Sequence, residues 1–401
     1  MNLLQKKKLK WLTSIILGVI SLMILISFYL RYTERLDRIL YDSSPFKPTP
    51  VIPMQLAYDE ITAYLDHQVE MASINRKDYW QRDFSSVEAY SKSVSAYRED
   101  FRQLVSVPQE CLEGTPPTLK SNDYITSLKG VDIFLWKLNV CNNSFVTHAL
   151  VGIPTDAQAP LPLIIIFHGT SGTPEKTLGL ENNEYHHQFG LKLAQEGYMV
   201  FVPLIITQPQ SIITIDNNRM RNELDNRATS LGRRLVGIEI GQAISTLDYL
   251  ETLDNIDASR IGTYGISLGG LLSFYLGAVD TRIEVVVVSQ YIEDRIEKLV
   301  DSNYQSALWR FSNADYSFTP ELLLFFTDVD IASLIMPRKL FIEVGLQDQR
   351  YAGTMRVAPK IQDLYNRLGL PSDSFGVGIG EGGHEIYLTD SLEFLNRWLE
   401  P

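Results

Sequence analysis

The chain has 401 residues, 45% of them hydrophobic and 10% aromatic, enough to bury a large core, and a formal net charge of −12. The acidic surplus is spread along the chain and no basic face gathers anywhere, which argues against a nucleic-acid binder. No internal repeat recurs, so solenoids and propellers are excluded as well.

Residues 1–10, MNLLQKKKLK, form a short basic tail, and residues 11–30 carry no charge. Twenty helical residues rise about 30 Å, the thickness of a bilayer's hydrocarbon core. Bulky residues follow this run where a signal-peptidase site would need small ones, so residues 11–30 read as an uncleaved membrane anchor rather than a signal peptide or a buried helix. The lysines ahead of it narrowly outnumber Arg31, Arg35 and Arg38 behind it, which places the tail in the cytoplasm and the rest outside. Residues 31–55 include four prolines and read as a stiff linker.

Residues 56–120 read as a helical segment. Phe84, Val87, Tyr90, Val94, Tyr97, Phe101 and Leu104 follow one another at steps of three and four, a single apolar stripe. A coiled-coil seam is the alternative, but three heptads are the bare minimum and aromatics suit such a seam poorly, so a helix packed on its own domain is expected. Cys111 and Cys141 could pair, closing a loop worth roughly 3 kcal/mol, or remain two buried thiols; both readings stay open.

From residue 121 to 401 the pattern becomes that of an α/β domain. Strands are expected at DIFLWKLNV, SFVTHALVGIP, LPLIIIF, YMVFVPLII, RIGTYGIS, IEVVVVSQY, IMPRKLFIEVG and near FGVGI, interleaved with amphipathic helices. Continuous apolar strands alternating with helices imply a mostly parallel sheet covered on both faces, with ligands bound beyond the strands' carboxyl ends. Residues 207–230 and 292–318, the latter with Tyr304, Trp309 and Phe311, lie where lids and substrate pockets are built.

The chemistry gathers around RIGTYGISLGG. A strand delivers Ser267 and a helix leaves at once, which lifts the hydroxyl above the sheet and demands Gly265 and Gly269 on either side. A serine needs a base, and an elbow of this type orders its triad serine, acid, histidine. Six histidines occur, but only His384, in GEGGHEIY, follows Ser267. Asp348, three residues beyond the strand LFIEVG, is the expected acid; Glu343, Asp328 and Asp330 are its rivals. The oxyanion donors are expected to be the amides of Leu268 and Thr170, the latter in a loop shaped by His168 and Gly169. His186 and His187 match no ligand spacing, and no metal is assigned.

The stretches FHGTSG, DASRIGTYGISLGG, IASLIMPRKLFIEVGLQDQ and GGHEIY resemble the α/β-hydrolase superfamily, and within it the dienelactone-hydrolase-like and acetyl xylan esterase branch. The resemblance runs from about residue 161 to the C-terminus. It implies an α/β-hydrolase fold and a serine carboxylic-ester hydrolase without cofactor, with Ser267, Asp348 and His384 as the triad. Dienelactone hydrolases proper use cysteine as nucleophile, so serine here favours ordinary esters, of small acyl groups or of saccharides. A prolyl-oligopeptidase-like peptidase shares the triad but carries a propeller that residues 1–120 are too short and too helical to supply. A catalytically idle binding module is the remaining alternative, and it ordinarily lacks triad residues that are present here.

Overall fold

The computed structural model describes residues 54–156, 158–181, 185–207, 219–301 and 318–401. The expected anchor, residues 11–30, and nearly all of the linker lie outside the described residues, as do 208–218 and 302–317 from the two expected lid segments. Among the described residues no helix is long and apolar enough to cross a membrane. They fall into two units, one ending at Leu65 and one running from Asp66 to Pro401. The boundary lies within helix α1 (Met54–Tyr79).

After the C-terminal part of α1, the larger unit continues with α2 (Val87–Leu104), capped by the Ser86 hydroxyl, which accepts from the Ala89 amide. Its stripe faces its own domain: Tyr90, Val94 and Phe101 are fully buried, and the Tyr90 hydroxyl donates to the Ser333 carbonyl at 2.8 Å. Strands β1 (Thr118–Leu128), β2 (Val131–Val140) and β3 (Phe145–Pro154) form an antiparallel meander. Cys111 and Cys141 are joined as a disulfide that ties the segment after α2 to the end of β2.

Then come β4 (Leu161–Phe167), α3 (Pro174–Thr177), α4 (Phe189–Gln195), β5 (Met199–Pro203), α5 (Arg219–Thr229), α6 (Leu235–Leu250) and β6 (Ile256–Ile266). After these follow α7 (Leu268–Val279), β7 (Val285–Ser289), α8 (Arg295–Val300), α9 (Leu322–Phe325) and α10 (Asp328–Ile335). The chain closes with β8 (Lys339–Gly345), α11 (Tyr351–Arg367), β9 (Phe375–Gly380) and α12 (Thr389–Leu399).

The described strands make one sheet in the order β1-β2-β3-β5-β4-β6-β7-β8-β9, parallel from β5 to β9. Alternation along each strand divides the core into two layers. Leu163, Ile165, Val286 and Val288 face α2, α6, α7, α10 and α11, whereas Ile164, Ile166, Val285 and Val287 face α4 and α12. This mixed sheet, covered on both sides, is the α/β-hydrolase arrangement. It brings the carboxyl ends of β4, β6, β7 and β8 to one edge of the molecule.

Candidate active site

Ser267 stands between β6 and α7 with φ 58° and ψ −118°, a conformation a non-glycine residue holds only where its surroundings impose it. Its amide donates to the Ser289 carbonyl at 3.0 Å, and its carbonyl accepts from Leu271. The neighbouring glycines are steric necessities. A Cβ on Gly265 would fall 2.0 Å from the Gly269 carbonyl oxygen, and one on Gly269 would fall 2.0 Å from the Phe167 carbonyl oxygen. Leu268 is the first residue of α7, so its amide belongs to the helix's positive end.

His384 and Asp348 meet. His384 Nδ1 lies 2.5 Å from Asp348 Oδ2; the imidazole is 38% exposed and the carboxylate almost wholly buried. The Arg350 amide donates to the other carboxylate oxygen at 2.7 Å, and the Arg350 guanidinium lies 3.6 Å from it. Burial pushes the Asp348 carboxyl up, but the hydrogen bond from His384 and the charge of Arg350 outweigh it and hold the group below its ordinary value. An ionised carboxylate behind Nδ1 fixes the tautomer that leaves Nε2 free to take a proton.

Thr170 lies in a turn closed by the Gly172 amide on the Gly169 carbonyl at 2.9 Å. Two buried histidines grip the preceding residue, Gly169. His168 Nδ1 donates to the Gly169 carbonyl at 2.9 Å while its Nε2 accepts from the Ile205 amide at 3.2 Å. The Gly169 amide in turn donates to His186 Nε2 at 3.3 Å. Burial lowers His168 to about 4 and His186 to about 2, so both rings are neutral near pH 7 and each can accept as well as donate. A Cβ on Gly169 would fall 2.3 Å from the Tyr185 hydroxyl, so this loop approaches its neighbours more closely than any side chain would permit.

Residues 147–290 match the profile of the dienelactone hydrolase family. That family match covers little more than a third of the chain. YtaP of Bacillus subtilis (strain 168), a protein named as a hydrolase, is 24% identical over 266 residues, covering 61% of this chain and 81% of YtaP. A Bacteroides fragilis NCTC 9343 protein described as an acetyl xylan esterase is 16% identical, with TM-score 0.57, covering 77% of this chain and 80% of its own. The glucuronoyl esterase of Solibacter usitatus is 14% identical, with TM-score 0.54, covering 77% and 93% respectively. At such identities the two solved structures speak for the fold.

The rival acids have other partners. Asp328 binds Arg295 at 2.5 Å and accepts from the Glu293 amide, and Asp330 forms the capping box of α10 with Thr327 while binding Arg82 at 2.7 Å. Glu343 is buried beneath the His384 loop and accepts from Ser289, Tyr264, Ser391 and the amides of Tyr387 and Leu388. Burial raises its pKa, and these donors oppose the rise.

Sequence reasoning missed Gln290. This buried residue, one past β7, donates through Nε2 to the carbonyls of Gly383 (3.3 Å) and Glu385 (2.8 Å), the two residues flanking His384. Its Oε1 accepts from the Gly345 amide at 3.1 Å, where the Asp348 loop begins. One side chain beside the Ser289 carbonyl that holds Ser267 thus ties down the loops of the other two residues. Tyr185 was also missed: its carbonyl accepts from the Ile386 amide at 3.0 Å, and its ring stacks on that of His384 at 6.3 Å.

Proposed function

We propose that the protein is a serine carboxylic-ester hydrolase working through an acyl-enzyme on Ser267. The observation that carries this reading is the His384–Asp348 pair at 2.5 Å, at the same sheet edge as a serine held at φ 58° between β6 and α7. Ser267 Oγ attacks the ester carbonyl carbon as His384 Nε2 takes the hydroxyl proton. Asp348 stabilises the imidazolium, and the amides of Leu268 and Thr170 receive the oxyanion. Collapse breaks the ester C–O bond, and the alcohol leaves with the proton from His384. Water then attacks the acyl carbon as His384 takes its proton, and the bond between the acyl carbon and Ser267 Oγ breaks as His384 returns that proton to Oγ, releasing the acid.

Acetyl and saccharide esters are the substrate classes to test first, since related folds carry the names acetyl xylan esterase and glucuronoyl esterase. Ser267→Ala should abolish p-nitrophenyl acetate turnover and labelling by a fluorophosphonate probe. Undiminished turnover would remove Ser267 from the mechanism. Labelling without turnover of any ester, but with cleavage of peptides, would favour the peptidase reading. We further propose that residues 11–30 anchor the enzyme in a membrane with the hydrolase domain outside. Protection of that domain from protease added to intact cells would reverse this orientation.

A further inference from the structure

A cavity of about 510 Å³ lies between the sheet and helices α5 and α6, at the carboxyl ends of β4 and β5. Several residues of its wall adjoin residues of the candidate active site. Phe167, which lines it, immediately precedes His168; Ile205, which lines it, donates its amide to His168. Leu272, also in the wall, lies one turn of α7 beyond Leu268.

The walls are chiefly apolar side chains, and the polar groups among them are largely occupied. Glu239 is bound in two places by the buried Arg221 guanidinium, at 2.7 and 2.9 Å, and Gln242 accepts from Thr147 at 3.4 Å. At the mouth, Leu204, Ile206, Leu224 and Leu231 stand exposed, Leu231 by 80%. A saccharide would find few free partners for its hydroxyls here, whereas an aliphatic chain would cover the apolar surface that these residues leave open to water.

We propose that this cavity receives the acyl chain of the ester, so that the enzyme prefers straight-chain aliphatic acyl groups over acetyl. The inference rests on the serine-esterase reading above and names the substrate class of that site. A dry cavity of ~150 Å³ suffices for a benzene-sized guest, so one more than three times larger takes a chain of about eight to twelve carbons.

The experiment measures kcat/KM for p-nitrophenyl acetate, butyrate, octanoate and decanoate, alongside fluorophosphonate labelling of Ser267. In the wild-type enzyme kcat/KM should rise at least tenfold from acetate to octanoate. Ala243→Phe fills the cavity from α6 and should remove that gain while sparing acetate turnover. Leu231→Glu, at an exposed position that does not endanger folding, should reduce octanoate turnover severalfold. Acetate turnover with intact labelling but a flat or falling chain-length profile overturns this inference alone. So does inhibition by free decanoate that does not compete with ester, which would make the cavity an independent lipid site. Loss of both labelling and all ester turnover overturns the esterase reading and this inference together.

Discussion

Gln290→Met tests whether a buried amide holds the histidine in place. Methionine keeps the length of the side chain and deletes both of its donors. The carbonyls of Gly383 and Glu385 then lose partners now at 3.3 and 2.8 Å, and the Gly345 amide loses its acceptor. Two donated hydrogen bonds at about 0.5–1.5 kcal/mol each amount to about 1–3 kcal/mol, all of it acting on the loop that carries His384. If that energy keeps the imidazole over Ser267, its loss lowers kcat by roughly 5- to 150-fold. The ester pocket is untouched, so KM should stay within about twofold, and the fluorophosphonate labelling rate should fall with kcat. The melting temperature should fall by only a few degrees, since about 1–3 kcal/mol is spread over a domain of more than 300 residues. An unchanged kcat, or a fall in kcat/KM carried by KM, would refute the positioning role.

Asp348→Asn should keep the fold and reduce kcat by about 10³- to 10⁴-fold, because the amide no longer enforces the productive tautomer of His384; a loss under tenfold would point to another acid. His168 and His186 make the protein labile to acid. Each pKa lies below its unfolded value, so the unfolded chain binds more protons and stability falls as pH drops through 6.5 towards 4. His168→Gln should therefore flatten the urea-midpoint profile between pH 6.5 and 4.5 by the equivalent of about 2–3 kcal/mol, and an unchanged slope would mean that His168 is not buried as a neutral ring. Replacing both Cys111 and Cys141 by serine opens a loop with sequence separation 30 and should cost about 3–4 kcal/mol, read as a fall in melting temperature relative to the oxidised wild type. Equal melting temperatures with and without reductant in the wild type would show that the bridge contributes nothing.

The parts of the site legible in the sequence were those whose chemistry demands a local pattern. The Ser267 elbow needs glycines at fixed offsets, and the order serine, acid, histidine left one histidine available. Strands buried on both faces announced themselves as apolar runs. β1 did not: Thr118–Leu128 is largely exposed and polar, and its extended form follows from pairing with β2, across two register irregularities, rather than from its own composition. The charged run Arg219–Thr229 hid α5 in the same way. Asp328 and Asp330 were read as candidate acids, although Thr327 with Asp330 three residues on is a capping-box signature that marks the start of α10.

His168 and His186 show why positioning residues stay hidden. Each residue offers one N–H and one C=O, and fixing both calls for an acceptor for the first and a donor for the second. A neutral imidazole can fill either role, provided burial keeps it uncharged. His168 donates to the Gly169 carbonyl and His186 accepts from the Gly169 amide. The Thr170 amide shares its peptide plane with the Gly169 carbonyl, so holding that carbonyl fixes the direction of the Thr170 N–H without a side chain of its own. These two rings are 18 residues apart and obey no spacing rule, because the fold rather than the chain brings them together. The same holds for Gln290, whose partners lie 55 to 95 residues away. Residues that react must satisfy local geometry and so leave a motif, whereas residues that hold them need only arrive at the right place.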